Sequence, residues 1–187
     1  MKTLTLIAAL TASLSFSAHA ATDIAGVSVN DQIQLQGKPL NLSGAGIRSK
    51  FFMDLYVGSL YSAADPVDAD SVIHGEHASA IRLNIVSGLI TSDKMIDTIE
   101  EGFENAAGDD FDALRPQIDR FIAVFNDKIV EGDQFTLLSL PGAGIEAYKN
   151  GQLLTLVEGE RFRQALLGIW LGNKPADKDL KQEMLGQ

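Results

Sequence analysis

The sequence predicts an α+β domain: one curved, mainly antiparallel sheet with its helices laid on one face. Apolar and polar residues alternate from Val27 to Tyr61, again from Ala80 to Val86, and once more from Phe135 to Val157, as half-buried strands do. Between and after these blocks, from Ser92 to Phe125 and from Phe162 to Met184, apolar residues recur at intervals of three and four. Strands and helices in separate runs, without strand–helix–strand alternation, pack as antiparallel neighbours under one helical layer.

Each element has its own signal. Val27-Ser28-Val29 leads through Asn30-Asp31 into Ile33 to Gln36, and Gly37-Lys38-Pro39 turns into Leu40-Asn41-Leu42, a meander. Gly44, Gly46 and Gly58 predict bulges or bends in the strands that follow. From Lys50 to Tyr61 both faces are apolar: Phe51, Met53, Leu55, Val57 and Tyr61 on one, Phe52, Tyr56 and Leu60 on the other with Lys50 and Asp54. A strand of that kind is buried on both sides. In the strand from Ala80 to Val86, Ile81, Leu83 and Ile85 point inward, opposite Arg82 and Asn84. The long connection Ser62 to Ala78 starts a short helix at Asp65-Pro66. Ser92 caps a helix with Met95, Ile96, Ile99 and Phe103 on one face, and a second follows Gly108 with Pro116 near its first turn. Asn150-Gly151 marks a hairpin between strands ending at Lys149 and starting at Gln152. A last long helix stops at Gly172, and a short tail helix begins near Pro175.

Composition removes most site chemistry. With no cysteine among 187 residues, thiolate nucleophiles, Cys-ligated zinc, iron–sulfur clusters and disulfide scaffolds are excluded. A formal charge of −10 and the lack of any basic run argue against nucleic acid, whose phosphates need clustered Lys and Arg. The first twenty residues read as a cleavable export signal: Met1-Lys2, an apolar run from Leu4 to Phe16, then Ala18-His19-Ala20. Residues 21–187 are then one exported domain, expected in a bacterial periplasm, with no membrane span.

Few residues suggest a site. His74-Gly75-Glu76-His77 has metal-ligand side chains but no metal-site spacing, so it reads as a solvated loop and no metal or cofactor is expected. Glu100, Glu101, Glu104, Asp109 and Asp110 lie opposite the apolar helix face and read as a wetted surface. Gly44-Ala45-Gly46 and Gly142-Ala143-Gly144 lack a P-loop lysine and a strand-to-helix context, so they read as bends. Arg48 is more informative. An arginine on a strand with apolar faces needs an anion, either an internal carboxylate or that of a ligand. Arg82 is a second candidate on the same ground, and Tyr56 is a hydroxyl partner or a core residue.

Four stretches together resemble the chalcone isomerase-like superfamily, in its exported bacterial branch: Leu42-Ser43-Gly44-Ala45-Gly46-Ile47-Arg48, Tyr56-Val57-Gly58-Ser59-Leu60-Tyr61, Ser92-Asp93-Lys94-Met95, and Phe162 through Gly172. The resemblance implies an open-faced β-sandwich with a ligand cleft between sheet and helices. Enzymes of that superfamily close a flavanone ring with an arginine, two threonines, a tyrosine and an asparagine. Carried over, the arginine falls on Arg48, the threonines near Leu55 and Ile169, the tyrosine near Thr91 and the asparagine near Thr98. Four of five positions depart, so the hydroxyl network for chalcone cyclisation is missing. The remaining arginine and the more apolar walls resemble the fatty-acid-binding members instead.

The reading that follows is a non-catalytic binding protein for a fatty acid or other small apolar carboxylate, with Arg48, Tyr56, Leu55, Thr91, Thr98 and Ile169 around the ligand. Two alternatives stay open. One is an isomerase or intramolecular lyase acting on an unsaturated carbonyl compound, with Arg48, Thr91 and Thr98 as its working residues. The other is an envelope interaction protein whose cleft is closed by Phe52, Tyr56 and Arg48 packing together.

Overall fold

A computed structural model describes residues 21–187; the expected export signal, residues 1–20, lies outside the described residues. Alternation in the first half yields β1 (Ala21–Ile24) and β2 (Val27–Asn30), a small hairpin, then β3 (Gln32–Leu35), β4 (Lys38–Lys50) and β5 (Met53–Ser62). β6 (Ser79–Ile85), β7 (Gln134–Leu140), β8 (Gly144–Lys149) and β9 (Gln152–Glu158) extend the sheet in chain order, each strand antiparallel to the last. This curled seven-stranded meander, with helices on one face, is the α+β architecture expected. The helices are α1 (Ala69–His74) between β5 and β6, α2 (Ser92–Ala107) and α3 (Phe111–Ile122) between β6 and β7, and α4 (Glu160–Leu171) and α5 (Lys178–Met184) after β9.

Two apolar layers hold the sheet. Under the helices lie Phe103, Phe121, Phe125, Phe135 and Phe162, with Phe103 stacked on Phe162 at 5.4 Å between centroids. On the other face Val57, Tyr61, Ala80 and Leu138 meet Val29, Ile33 and Leu40, so the β1–β2 hairpin shields part of the open side. β5 is therefore buried on both faces, Tyr56 and Leu60 toward the helices, Val57 and Tyr61 away from them. Arg163 is completely buried and donates to Ser139 Oγ (2.9 Å), to the Ile73 carbonyl (2.7 Å) and to Glu160. Its guanidinium thus satisfies a carbonyl at the end of α1 that the short helix leaves without a partner.

Several boundaries differ from expectation. Phe51 and Phe52 are not part of a strand; they are the two-residue turn joining β4 to β5, with Lys50 paired to Met53. Thr91, one residue before Ser92, caps α2 by accepting from the Lys94 amide, and Ser92 instead donates to the Phe125 carbonyl. Pro116 lies inside α3 and not in its first turn, α1 starts from an Asp68 cap beyond Asp65-Pro66, and α5 starts from an Asp177 cap. A bulge falls at Gly44 as expected, with the register slipping between Leu42 and Gly44, but Gly44, Gly46 and Gly58 also have a second cause: all three face α5. A Cβ on Gly44 would stand 2.1 Å from the Glu183 carbonyl oxygen, so the glycine lets the terminal helix lie directly on β4.

Candidate functional site

Two β-bulges aim the site. Leu40 and Leu42 of β4 belong to the layer away from the helices, and strict alternation would send Arg48 to the same side. The register slips at Ser43, because Leu42 pairs with Tyr61 and Gly44 with Leu60. That extra residue turns Gly44, Gly46 and Arg48 toward the helices. A second slip skips Leu55, between the pairs Arg48–Tyr56 and Ser49–Asp54. Leu55 and Tyr56, consecutive in sequence, consequently both reach the helix-side core.

Tyr56 is held from above by α4. The Trp170 indole Nε1–H donates to the Tyr56 hydroxyl at 3.0 Å in a buried setting, which leaves the phenol's own proton free for a third group. Burial pushes the Tyr56 phenol up; the adjacent Arg48 guanidinium and the Trp170 bond offset only part of that rise. The group is therefore a neutral hydrogen-bond donor at ordinary pH. Beside it, Nη1 of Arg48 is buried and has no hydrogen-bond partner. A buried, unpaired guanidinium nitrogen is costly, and an anion is its natural complement.

Both groups open on a cavity of about 490 Å³ between the β4–β5 hairpin and α2. Met53, Leu55, Leu89, Ile90 and Met95 supply apolar walls, and Lys50, Lys94, Asp97, Thr98 and Glu101 also line it. Its size falls in the range of about 300–1,000 Å³ typical of small-molecule sites. Arg48 and Tyr56 offer two donors and the apolar residues offer hydrocarbon, so the arrangement suits a ligand with one acid group and an apolar body.

Of the residues singled out in the sequence, Arg48, Leu55, Tyr56 and Thr98 come together around this cavity. Thr91 lies outside the lining as the α2 cap, and Ile169 is buried in the seam between α2 and α4, against Gly102. Arg82 is on the opposite face of the sheet, over the Tyr61 ring at 5.5 Å and bonded through Nε to Thr136 at 3.2 Å. Phe52 is fully exposed, so the closed packing of Phe52, Tyr56 and Arg48 does not occur. Sequence reasoning missed Trp170, although the chain's only indole N–H, set on an apolar helix face, calls for a buried partner. It also missed Met95 and Ile90, whose apolar character is indistinguishable from that of core residues.

Other clusters carry less. A groove of about 600 Å³ bounded by α1, α2 and α4 contains His74, Asp70, Arg161 and Lys181, but no side-chain nitrogen or oxygen there is both buried and unpartnered. His74 ends α1, exposed, 3.9 Å from Asp70, and no group of metal-ligating side chains occurs among the described residues. Glu100 pairs with Arg115 at 2.7 Å on the surface. No helix among the described residues is long and apolar enough to cross a membrane.

The chain's relatives agree with this architecture. No curated protein matches the sequence. Among solved structures, a fatty-acid binding protein of Arabidopsis thaliana superposes with a TM-score of 0.68 at 18% identity, over 89% of this chain and 95% of that one. The model of the family described as "Chalcone isomerase-like" matches residues 21–186. With nearly every described residue inside that match and the curled sheet and helical layer in place, the chain belongs to the chalcone isomerase-like family.

Proposed function

We propose that this protein is a non-catalytic binding module for a fatty acid or another small apolar carboxylate. The observation that carries the reading is the buried, partnerless Nη1 of Arg48 beside Tyr56 in a cavity that Met53, Leu55, Leu89, Ile90 and Met95 also line. In this reading Arg48 and Tyr56 hold the carboxylate, Trp170 keeps the Tyr56 ring in place, and Leu55, Met53, Ile90 and Met95 receive the hydrocarbon. The likeness to a fatty-acid binding protein supports the same ligand class. The isomerase alternative loses one of its proposed helpers: Thr91 is occupied with an α2 amide.

The module acts outside the cytoplasm in this proposal. Residues 1–20 have the pattern of an export signal, and the family match begins at Ala21.

Native mass spectrometry of protein gently isolated from the periplasm tests both parts. The mature chain should begin at Ala21 and carry a fatty-acid-sized ligand, and Arg48→Ala should lose at least about tenfold in occupancy, the scale of one charge-assisted hydrogen bond. An empty wild-type spectrum, with no binding across a fatty-acid panel, would overturn the binding reading. Turnover of an enone panel abolished by Arg48→Ala would replace it with the isomerase.

A further inference from the structure

We infer that the Phe51-Phe52 turn is a lipid-surface docking tip, which inserts into a phospholipid membrane beside the opening of the Arg48 cavity. Four two-residue hairpin turns occur among the described residues with positive φ at both central positions: Ala25-Gly26, Gln36-Gly37, Phe51-Phe52 and Asn150-Gly151. Three end in glycine, the residue that this turn geometry favours. Only the β4–β5 turn places bulky side chains there, with φ of 51° at Phe51 and 64° at Phe52. L side chains resist that region, so the turn itself gains nothing from them.

Nor does the core gain. Phe52 is wholly exposed and Phe51 is 78% exposed, and Met53 and Leu89 beside them are each more than two-fifths exposed. Phe51, Met53 and Leu89 also line the cavity, so the tip and the cavity mouth form one apolar surface. The two phenyl rings offer about 300–500 Å², well short of the roughly 800 Å² per partner that a stable protein interface needs. A narrow, protruding apolar tip suits insertion between lipids better than it suits a flat protein face.

Charge points the same way. The chain carries a net −10, yet two lysines, Lys50 and Lys94, line this cavity and balance Asp97 and Glu101 there. The Lys50 ammonium sits 5.9 Å from the Phe51 ring centre, and Lys94 Nζ donates to the Leu89 carbonyl at 3.2 Å, so both cations stand among the exposed apolar residues. Aromatic side chains flanked by lysines match the boundary between acyl chains and anionic headgroups. Direct passage of an apolar acid between bilayer and cavity rests on the fatty-acid reading above; docking itself does not.

The test is flotation with vesicles of phosphatidylethanolamine and phosphatidylglycerol, comparing wild type with Phe52→Gly. The substitution restores the glycine-ended turn of the other three hairpins, so Tm should hold or rise while the vesicle-bound fraction falls about tenfold or more, as loss of one inserted Phe requires. Phe52 does not line the cavity, so uptake of a soluble fatty acid from vesicle-free buffer should stay unchanged. Wild type that fails to float, or Phe52→Gly that floats equally well, overturns the docking inference. A wild-type dimer dissociated by Phe52→Gly overturns it in favour of self-association. Flotation that depends on Phe52 while neither protein binds fatty acid upholds docking and removes the ligand reading alone.

Discussion

At the scale of single residues, two arginines meet opposite fates in one core. Arg163 is fully enclosed and every direction of its guanidinium is answered: by Glu160, Ser139 and the carbonyl end of α1. It is structural. Arg48 has a buried nitrogen with no answer from the protein, and a neutral phenol stands beside it. The difference between a satisfied and an unsatisfied buried donor separates scaffold from site here. The satisfied arginine has a consequence for acid stability. Its hydrogen bonds to Glu160, opposed by partial burial and aided by the Gly142 amide, bring that carboxyl from an ordinary 4.5 down to about 2. A carboxylate lowered on folding adds stability that is complete above its unfolded value and disappears as pH falls through its folded one. The urea midpoint of the wild type should therefore drop between about pH 5 and pH 2, and Glu160→Gln, weaker at pH 7, should converge with it at the acid end. Because Glu160 is partly solvated, the gap at pH 7 should be modest; parallel wild-type and mutant curves across that window would refute the assignment.

Secondary elements are positioned by where side chains are missing. α5 reaches the sheet because Gly44 presents no Cβ to the Glu183 carbonyl, while Gly58 leaves room for Leu180. Gly102 and Gly168 do the same for the crossing of α2 over α4, where Ile169 and Ala106 fill the space. Gly44→Ala should destabilise the fold by about 1–3 kcal/mol, the usual cost of forcing volume into a packed contact. Urea denaturation should show it, with faster amide exchange confined at first to 178–184. Gly88→Ala, with open space around it, is the matched control and should be near neutral. The Asn150-Gly151 hairpin and the apolar stripe of α4 are legible in the sequence, since turn chemistry and helical spacing are local. The Phe51-Phe52 turn is illegible for the converse reason: its residues contradict local preference, and they read as a continuing strand.

For the molecule as a whole, the cavity between the β4–β5 hairpin and α2 sets what length of ligand fits. If hydrocarbon lies against Leu55, Ile90 and Met95, each added methylene that enters should strengthen binding by about 0.8 kcal/mol, roughly fourfold. Calorimetry with octanoate, decanoate, dodecanoate and longer acids should show affinity climbing by that factor and then levelling once about 490 Å³ is filled. Flat affinity across the series would place the chain outside the cavity. The apolar layer on the other side of the sheet, closed in part by β1 and β2, gives a cysteine-free chain a second packed surface on which to stabilise itself.

The sequence by itself determined the class of fold, the order of strand and helix blocks, the exclusion of thiol and nucleic-acid chemistry, and Arg48 as the residue most in need of an anion. Those properties follow from composition and from periodicities of two and three to four residues, which neighbours along the chain express. Tertiary structure decided which face Arg48 takes, because an unpaired residue at Ser43 reverses the alternation that Leu40 and Leu42 begin. It also decided that Leu55 and Tyr56 share a cavity, that Trp170 fastens the Tyr56 hydroxyl from α4, and that Thr91 and Ile169 belong to a cap and a helix seam. A bulge is a property of two strands in register, and a buried donor without a partner is a property of everything packed around it, so neither can be written in one stretch of chain.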